Sequence, residues 1–196
     1  MEFIKKYQSL DSTMNEAKRY VISDFNKEAW DTKKPVLFQA QTQSNGRGQH
    51  GKSWASPTGA GLYISLLSSL RIPEENFAAY EATQIVLESM KRTLKECSYS
   101  DFNMFSIKPI NDIYWNGKKL AGILIERFAH NNKSFNVIGV GLNLFKSSYQ
   151  IKEENISIAK AEPVALEEIC GKEKTDIFEK NIVENIYADF ENKYFS

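Results

Sequence analysis

The sequence predicts a single α/β or α+β domain, residues 1–196, in which a mixed β-sheet is covered by helices. Three observations predict it. β-rich runs cluster in the middle of the chain, between residues 62 and 145, and segments with helical spacing precede, interrupt and follow them. No repeat or low-complexity tract divides the chain. Its 196 residues, 42% hydrophobic and 26% charged, suffice for one substantial core.

The elements follow in order. Thr13-x-x-Glu16 has capping-box spacing and opens a short helix over 12–23 through Ala17 and Tyr20. Residues 35–40 form a strand. From Gln43 to Gly61, five glycines beyond position 45 together with Pro57 rule out a helix or central strand, so a long mobile loop is expected. Residues 62–67 alternate as a strand, and 74–97 carry Val86, Met90, Leu94 and Cys97 at helical spacing. Four β-rich runs, 106–107, 113–115, 120–128 and 135–145, are separated by Pro109, Asn116-Gly117 and Asn131-Asn132. A short helix over 164–169 stops at Gly171, and Phe178, Ile182, Ile186 and Phe190, spaced by four, mark a final helix.

Composition excludes several classes. Lys+Arg and Asp+Glu each total 25, giving +0, and no run of one sign marks a nucleic-acid or membrane surface. No window approaches the roughly 20 apolar residues of a membrane span, and the N-terminus lacks a signal-peptide stretch, so a cytoplasmic protein is expected. Cys97 and Cys170 lack metal-ligand spacing and read as reduced thiols; His50 and His130 are too few for a histidine metal site.

Chemistry concentrates in the glycine-rich stretch. Arg47 lies between Gly46 and Gly48, with His50, Lys52 and Trp54 close behind. Glycines let backbone N–H groups approach anionic oxygens, arginine supplies several charged donors, and an indole can stack on a flat heterocycle. The P-loop spacing is absent, so by composition alone a solvated surface loop explains the stretch equally well.

The order of motifs is more specific. Asp11-Ser-Thr, Gln43-x-x-Gly-Arg-Gly and Trp54-x-Ser-Pro-x-Gly-x-Gly-Leu-Tyr-x-Ser are followed by Lys108-Pro-Ile-Asn-Asp-Ile, Lys119-Leu-Ala-Gly-Ile-Leu-Ile-Glu and Gly139-Val-Gly-Leu-Asn. This series resembles the biotin protein ligase family from about residue 11 to residue 143. The resemblance implies the class II aminoacyl-tRNA-synthetase-like catalytic fold. It also implies a ligase that joins biotin to ATP as biotinyl-5′-AMP, releasing pyrophosphate, and passes biotin to a lysine of a biotin carboxyl carrier protein.

The resemblance implies roles residue by residue. Ser12, Thr13 and Gln43 would hydrogen-bond the ureido ring; as bare sequence, helix capping is the better explanation of Ser12 and Thr13, and both roles can coexist. Gly46, Gly48 and Gln49 of the loop, with Gly122 and Gly141 of the strands, would approach biotin, although Gly122 alone also fits a bulge. Arg47 and Lys119 would bridge biotin and ATP as the catalytic cations, Lys119 in preference to Lys118. Trp54, Asn111 and Asn143 would complete the ATP site. Asp112 would hold Mg²⁺ and assist the incoming amine, where as bare sequence an Asn-Asp turn explains the pair equally well.

The sequence departs from the family in three places. Met14 replaces an asparagine, a polar contact that Asn15 could take over. Gln49 replaces a second arginine, predicting weaker retention of the adenylate. Pro109-Ile110 replaces Trp-Pro before Asn111. No helix-turn-helix candidate precedes Ser12, so DNA is not expected as a partner, and the family's C-terminal small β-domain is expected to be absent. Homodimerisation stays open. The rivals are a lipoate ligase, an octanoyl transferase without need of ATP, and a non-catalytic biotin-binding module.

Overall fold

The computed structural model describes residues 3–23, 34–69, 75–108, 110–149 and 161–195. Seven strands form one sheet: β1 (Ile4–Leu10), β2 (Val36–Gln43), β3 (Gly61–Ser68), β4 (Phe105–Lys108), β5 (Asp112–Trp115), β6 (Lys118–His130) and β7 (Lys133–Asn143). Their order is β1-β2-β3-β7-β6-β5-β4. Only β1 and β2 run parallel, and every other pairing is antiparallel. The expected mixed sheet is thus present, with helices α1 (Thr13–Ser23), α2 (Glu75–Glu96), α3 (Leu166–Cys170) and α4 (Lys172–Phe195).

The two faces of the sheet have different covers because side chains alternate along each strand. Ile123, Ile125, Ile138, Val140 and Leu142 point to one face, against Val86, Met90 and Leu94 of α2 and Phe178, Ile182, Ile186 and Phe190 of α4. The spacings of four in both helices are therefore core stripes. Each such side chain contributes about 1.5–3 kcal/mol on burial. Phe38, Leu67, Phe135 and Val137 point to the other face, where α1 covers them with Met14, Ala17 and Val21. α1 reaches only part of that face. Beyond Val137, β7 continues on the same side as Gly139 and Gly141, which leave room where side chains would otherwise stand.

The turns carry the geometry that their residues demand. Asn116 and Gly117 both have positive φ, 46° and 77°, as a two-residue type I′ hairpin requires. Asn131 and Asn132 do the same at 48° and 60° between β6 and β7. Gly171, φ 81°, ends α3.

Several expectations are corrected. β1 has no sequence forecast, because as an edge strand it buries no residue fully and shows no apolar face. The capping box at Thr13 does not form. The Thr13 hydroxyl bonds Gln43 and Ser65, and Glu16 pairs with Arg19. α3 begins at Leu166 rather than Val164, because the backbone around Pro163 bridges to Lys119 instead. Pro109 and Glu74 lie outside the described residues. Both cysteines are free, and no helix among the described residues is long and apolar enough to cross a membrane.

Candidate active site

The glycine-rich stretch is a hairpin rather than an open loop. Trp54 N–H donates to Gly46 O at 2.9 Å, Arg47 and Ser53 form a β-bridge, and Gly48 N–H donates to Lys52 O at 2.7 Å. His50 and Gly51 turn the chain with φ of 56° and 73°. This ladder fixes what faces inward. A Cβ on Gly46 would lie 2.3 Å from Trp54 O, so that glycine serves the hairpin's own closure and does not line the cleft below it.

That cleft, about 190 Å³, opens on the α1 side of the sheet. Its floor is made of glycines. Gly122 and Gly141 are cross-strand partners on β6 and β7, and Gly139 sits opposite Leu124. The Trp54 ring rests on this floor: a Cβ would lie 2.5 Å from Trp54 Cε2 at position 141 and 3.0 Å from Cζ3 at position 122. The close approach expected of a ligand at Gly122 and Gly141 is made by an indole of the chain itself. Trp54 Nε1–H is buried without a partner among the described residues, a donor left for something bound in the cleft.

One wall is polar and pre-arranged. Gln43 Oε1 accepts from Thr13 N at 2.8 Å and from its hydroxyl at 3.2 Å, while Thr13 Oγ1 and Ser65 Oγ are 2.8 Å apart. Gln43 Nε2 donates to Ser56 Oγ at 2.9 Å. This chain ties the start of α1 to the hairpin, with Ser12, Thr13 and Ser65 almost wholly buried. Next to it the wall turns apolar. Met14 Sδ lies over Gly139, where a Cβ would come within 2.8 Å of it. Asn15 does not take over a polar contact there, since its amide donates to Asp11 Oδ2 at 2.7 Å, away from the cleft.

Charges stand at both ends. Lys119 Nζ lies 2.8 Å from Asp112 Oδ1, a charge contact without hydrogen-bond alignment, and 5.4 Å from the Trp54 ring centroid. Lys118 turns outward to Glu162 at 2.5 Å, where that carboxylate raises its pKa. Arg47 Nη2 lies 3.1 Å from Glu126 Oε2, and Lys18 Nζ lies 2.7 Å from the same oxygen. Arg47, Lys52 and Lys119 against Asp112 put three cations and one carboxylate on the lining, a balance suited to an anion.

Asn111 and Asn143 divide. Asn111 lines the cleft while its Nδ2 donates to Ile123 O at 2.6 Å. Asn143 does not line it. Its Nδ2 donates to Val164 O at 3.2 Å and Lys119 O at 3.4 Å, making it a tie that holds the backbone of Lys119 in place. Of the sequence-predicted site residues, Gly46 and Asn143 stand outside the cleft, and the others line it together. Sequence reasoning did not place Ser53, Ile64, Ile123, Leu124, Gly139 or Val140 on the lining; strand alternation could have found Leu124 and Gly139, which share the face of Gly122 and Gly141. No cluster of three metal-ligating side chains occurs among the described residues.

A seven-stranded mixed sheet with a glycine-floored cleft beside its short first helix is the class II aminoacyl-tRNA-synthetase-like fold of biotin–lipoate ligase catalytic domains. Residues 7–143 match the biotin/lipoate A/B protein ligase family, and the chain belongs to that family. It is 30% identical over 160 residues to the bifunctional ligase/repressor BirA of Bacillus spizizenii, covering 81% of this chain and 46% of that protein. It is 33% identical over 106 residues to the Escherichia coli protein of the same name, covering 54% and 32%. The chain thus spans less than half the length of these relatives. Among solved structures, the Aquifex aeolicus biotin protein ligase in complex with biotin and ATP superposes with a TM-score of 0.61 at 27% identity, covering 100% of this chain and 74% of that one. Plasmodium falciparum LipL1 in complex with lipoate shares the fold at 12% identity, with a TM-score of 0.52 over 97% of this chain and 63% of that one.

Proposed function

We propose that this chain is a biotin protein ligase catalytic unit. It activates biotin with ATP to biotinyl-5′-AMP and pyrophosphate, then transfers biotin to a lysine of a biotin carboxyl carrier protein in the cytoplasm. The observation that carries this reading is the placement of Arg47 and Lys119 on one cleft that Thr13 and Gln43, hydrogen-bonded to each other, also line.

The chemistry follows from charge. A carboxylate must attack the α-phosphorus of ATP, and the two anions repel each other. Fixed cations in a partly closed cleft, where electrostatics exceed their strength in water, offset that repulsion and stabilise charge building on the phosphate. Arg47 supplies it from its place beside Glu126, with donors still free, and Lys119 supplies it once the nucleotide competes for it with Asp112. Ser12, Thr13 and Gln43 present hydroxyl and amide groups to the neutral, flat ureido ring. Held by Ser56 and Thr13, Gln43 cannot turn away, so its orientation costs no further entropy on binding.

Mg²⁺ would arrive with the nucleotide. It needs one or two oxygen ligands from the protein beside phosphate and water, and Asp112 and Asn111 offer them on the cleft lining, where the ion would supply charge neutralisation. After activation, Asp112 would take the proton of the incoming lysine amine as Lys119 moves to the phosphate.

Biotin-dependent exchange of labelled pyrophosphate into ATP tests the assignment. Exchange with biotin supports it, and exchange with lipoate alone moves the chain to the lipoate branch. That second reading is favoured by one observation, the apolar Met14 thioether on the cleft wall.

A further inference from the structure

We propose that Glu126 is a positioning residue for Arg47, and that Lys18 is the counter-charge that keeps this pair from cancelling itself. The inference rests on the reading of Arg47 as a phosphate-binding cation.

Glu126 stands on β6 on the same side as Gly122 and Leu124, outside the lining of the cleft but in contact with Arg47, which lines it. Its Oε2 faces two cations from different elements: Arg47 Nη2 of the hairpin at 3.1 Å and Lys18 Nζ of α1 at 2.7 Å. The three side chains are 24–30% exposed, so solvent screens them less than a surface pair. One carboxylate against an ammonium and a guanidinium leaves this three-residue group with a net positive charge beside the cleft. With Glu126 alone, Arg47 would be neutralised. With Lys18 alone, it would be repelled from its place.

The geometry fixes Arg47 without exhausting it. Glu126 takes one terminal nitrogen, and Arg47 Nε, buried and without a partner among the described residues, remains a donor. Lys18 is held in turn. It sits one helical turn beyond Met14, whose sulfur lies over Gly139, and its ammonium is 5.8 Å from the Phe128 ring, which stacks on Phe135 at 5.3 Å. A rigid strand, a helix and an aromatic pair therefore hold a guanidinium that a hairpin alone would leave free to rotate.

ATP titrated calorimetrically onto wild type, Glu126→Gln, Arg47→Ala and the double variant separates positioning from folding. Glu126→Gln should weaken ATP binding about fivefold or more when Arg47 is present and have no further effect in the Arg47→Ala protein. Lys18→Met should weaken it severalfold, and Lys18→Arg should restore it. If Glu126→Gln does not fold, Glu126→Asp, which keeps the charge and shortens the reach, takes its place in the cycle. Equal losses from the Glu126 change with and without Arg47 overturn the proposal while leaving the enzymatic reading intact. Wild-type ATP binding with Arg47 coupled to Glu126, but without biotin-dependent exchange, overturns the enzymatic reading and leaves the clamp standing. No ATP binding overturns both.

Discussion

Trp54 lies on Gly141 so closely that a single added carbon would collide with the indole, 2.5 Å from Cε2 and 2.7 Å from Nε1. Ring and strand are rigid, so the collision cannot be relieved by rotating a flexible tail. Gly141→Ala should displace Trp54 from the cleft floor at a cost of about 1–3 kcal/mol. Gly139→Ala should be milder, because its nearest atoms belong to the Met14 thioether chain, which can bend away. Chemical denaturation compares the two, and a red-shifted indole emission in the Gly141 variant alone would report the displacement.

Lys119 and Lys118 make an internal control. Lys119→Ala should lower the rate of biotin-dependent pyrophosphate exchange about 10²–10³-fold, by analogy with the loss of one charge-stabilising donor. Lys118→Ala should leave it near wild type, since that ammonium faces Glu162 on the outside. Comparable rates for both variants would remove Lys119 from the chemistry.

Gln49 lines the cleft, half-buried, and brings no charge. With one cation fewer near the adenylate phosphate, the wild type should release more free biotinyl-5′-AMP than Gln49→Arg. Chromatography of the supernatant in the absence of a carrier protein measures it. Equal release by both proteins contradicts the expectation.

Asp11 gives a pH dependence with a defined sign. Its carboxyl is held well below the usual carboxylate range, chiefly by the hydrogen bond from Arg19, with Asn15 adding, against an opposing effect of burial. A pKa lowered by folding stabilises the protein above the unfolded value of about 3.9, and that stability is lost as pH falls through the lower folded value. Asp11→Asn should therefore lower the urea midpoint near pH 6, by a surface-pair contribution of about 1 kcal/mol or less. The gap to wild type should narrow on acidification to about pH 2. A gap that does not shrink on acidification would show that the pairing with Arg19 has no part in it.

Much of the framework was legible because local pattern and long-range contact agree. Four residues spaced by four in α4 are core, and the Asn116-Gly117 turn adopts the backbone that only such residues accept readily. β1 was hidden because an edge strand without a buried stripe has no period to read. The roles of Trp54 and Asn143 were hidden for a different reason. An indole seated on glycines 68 and 87 positions away, and an amide tied to the carbonyls of Lys119 and Val164, are facts of tertiary register that no local spacing encodes. The shared carboxylate of Glu126 belongs with them, since its two cations come from 79 positions before it and from a separate helix.

The structure of this protein with biotin and a non-hydrolysable ATP analogue bound tests the central claim most directly. Lys119 should leave or loosen its contact with Asp112, Arg47 should stay beside Glu126, and both cations should come within about 3 Å of oxygens on the α-phosphate. If Lys119 stays on Asp112 and neither cation reaches the nucleotide, the two do not drive the chemistry assigned to them.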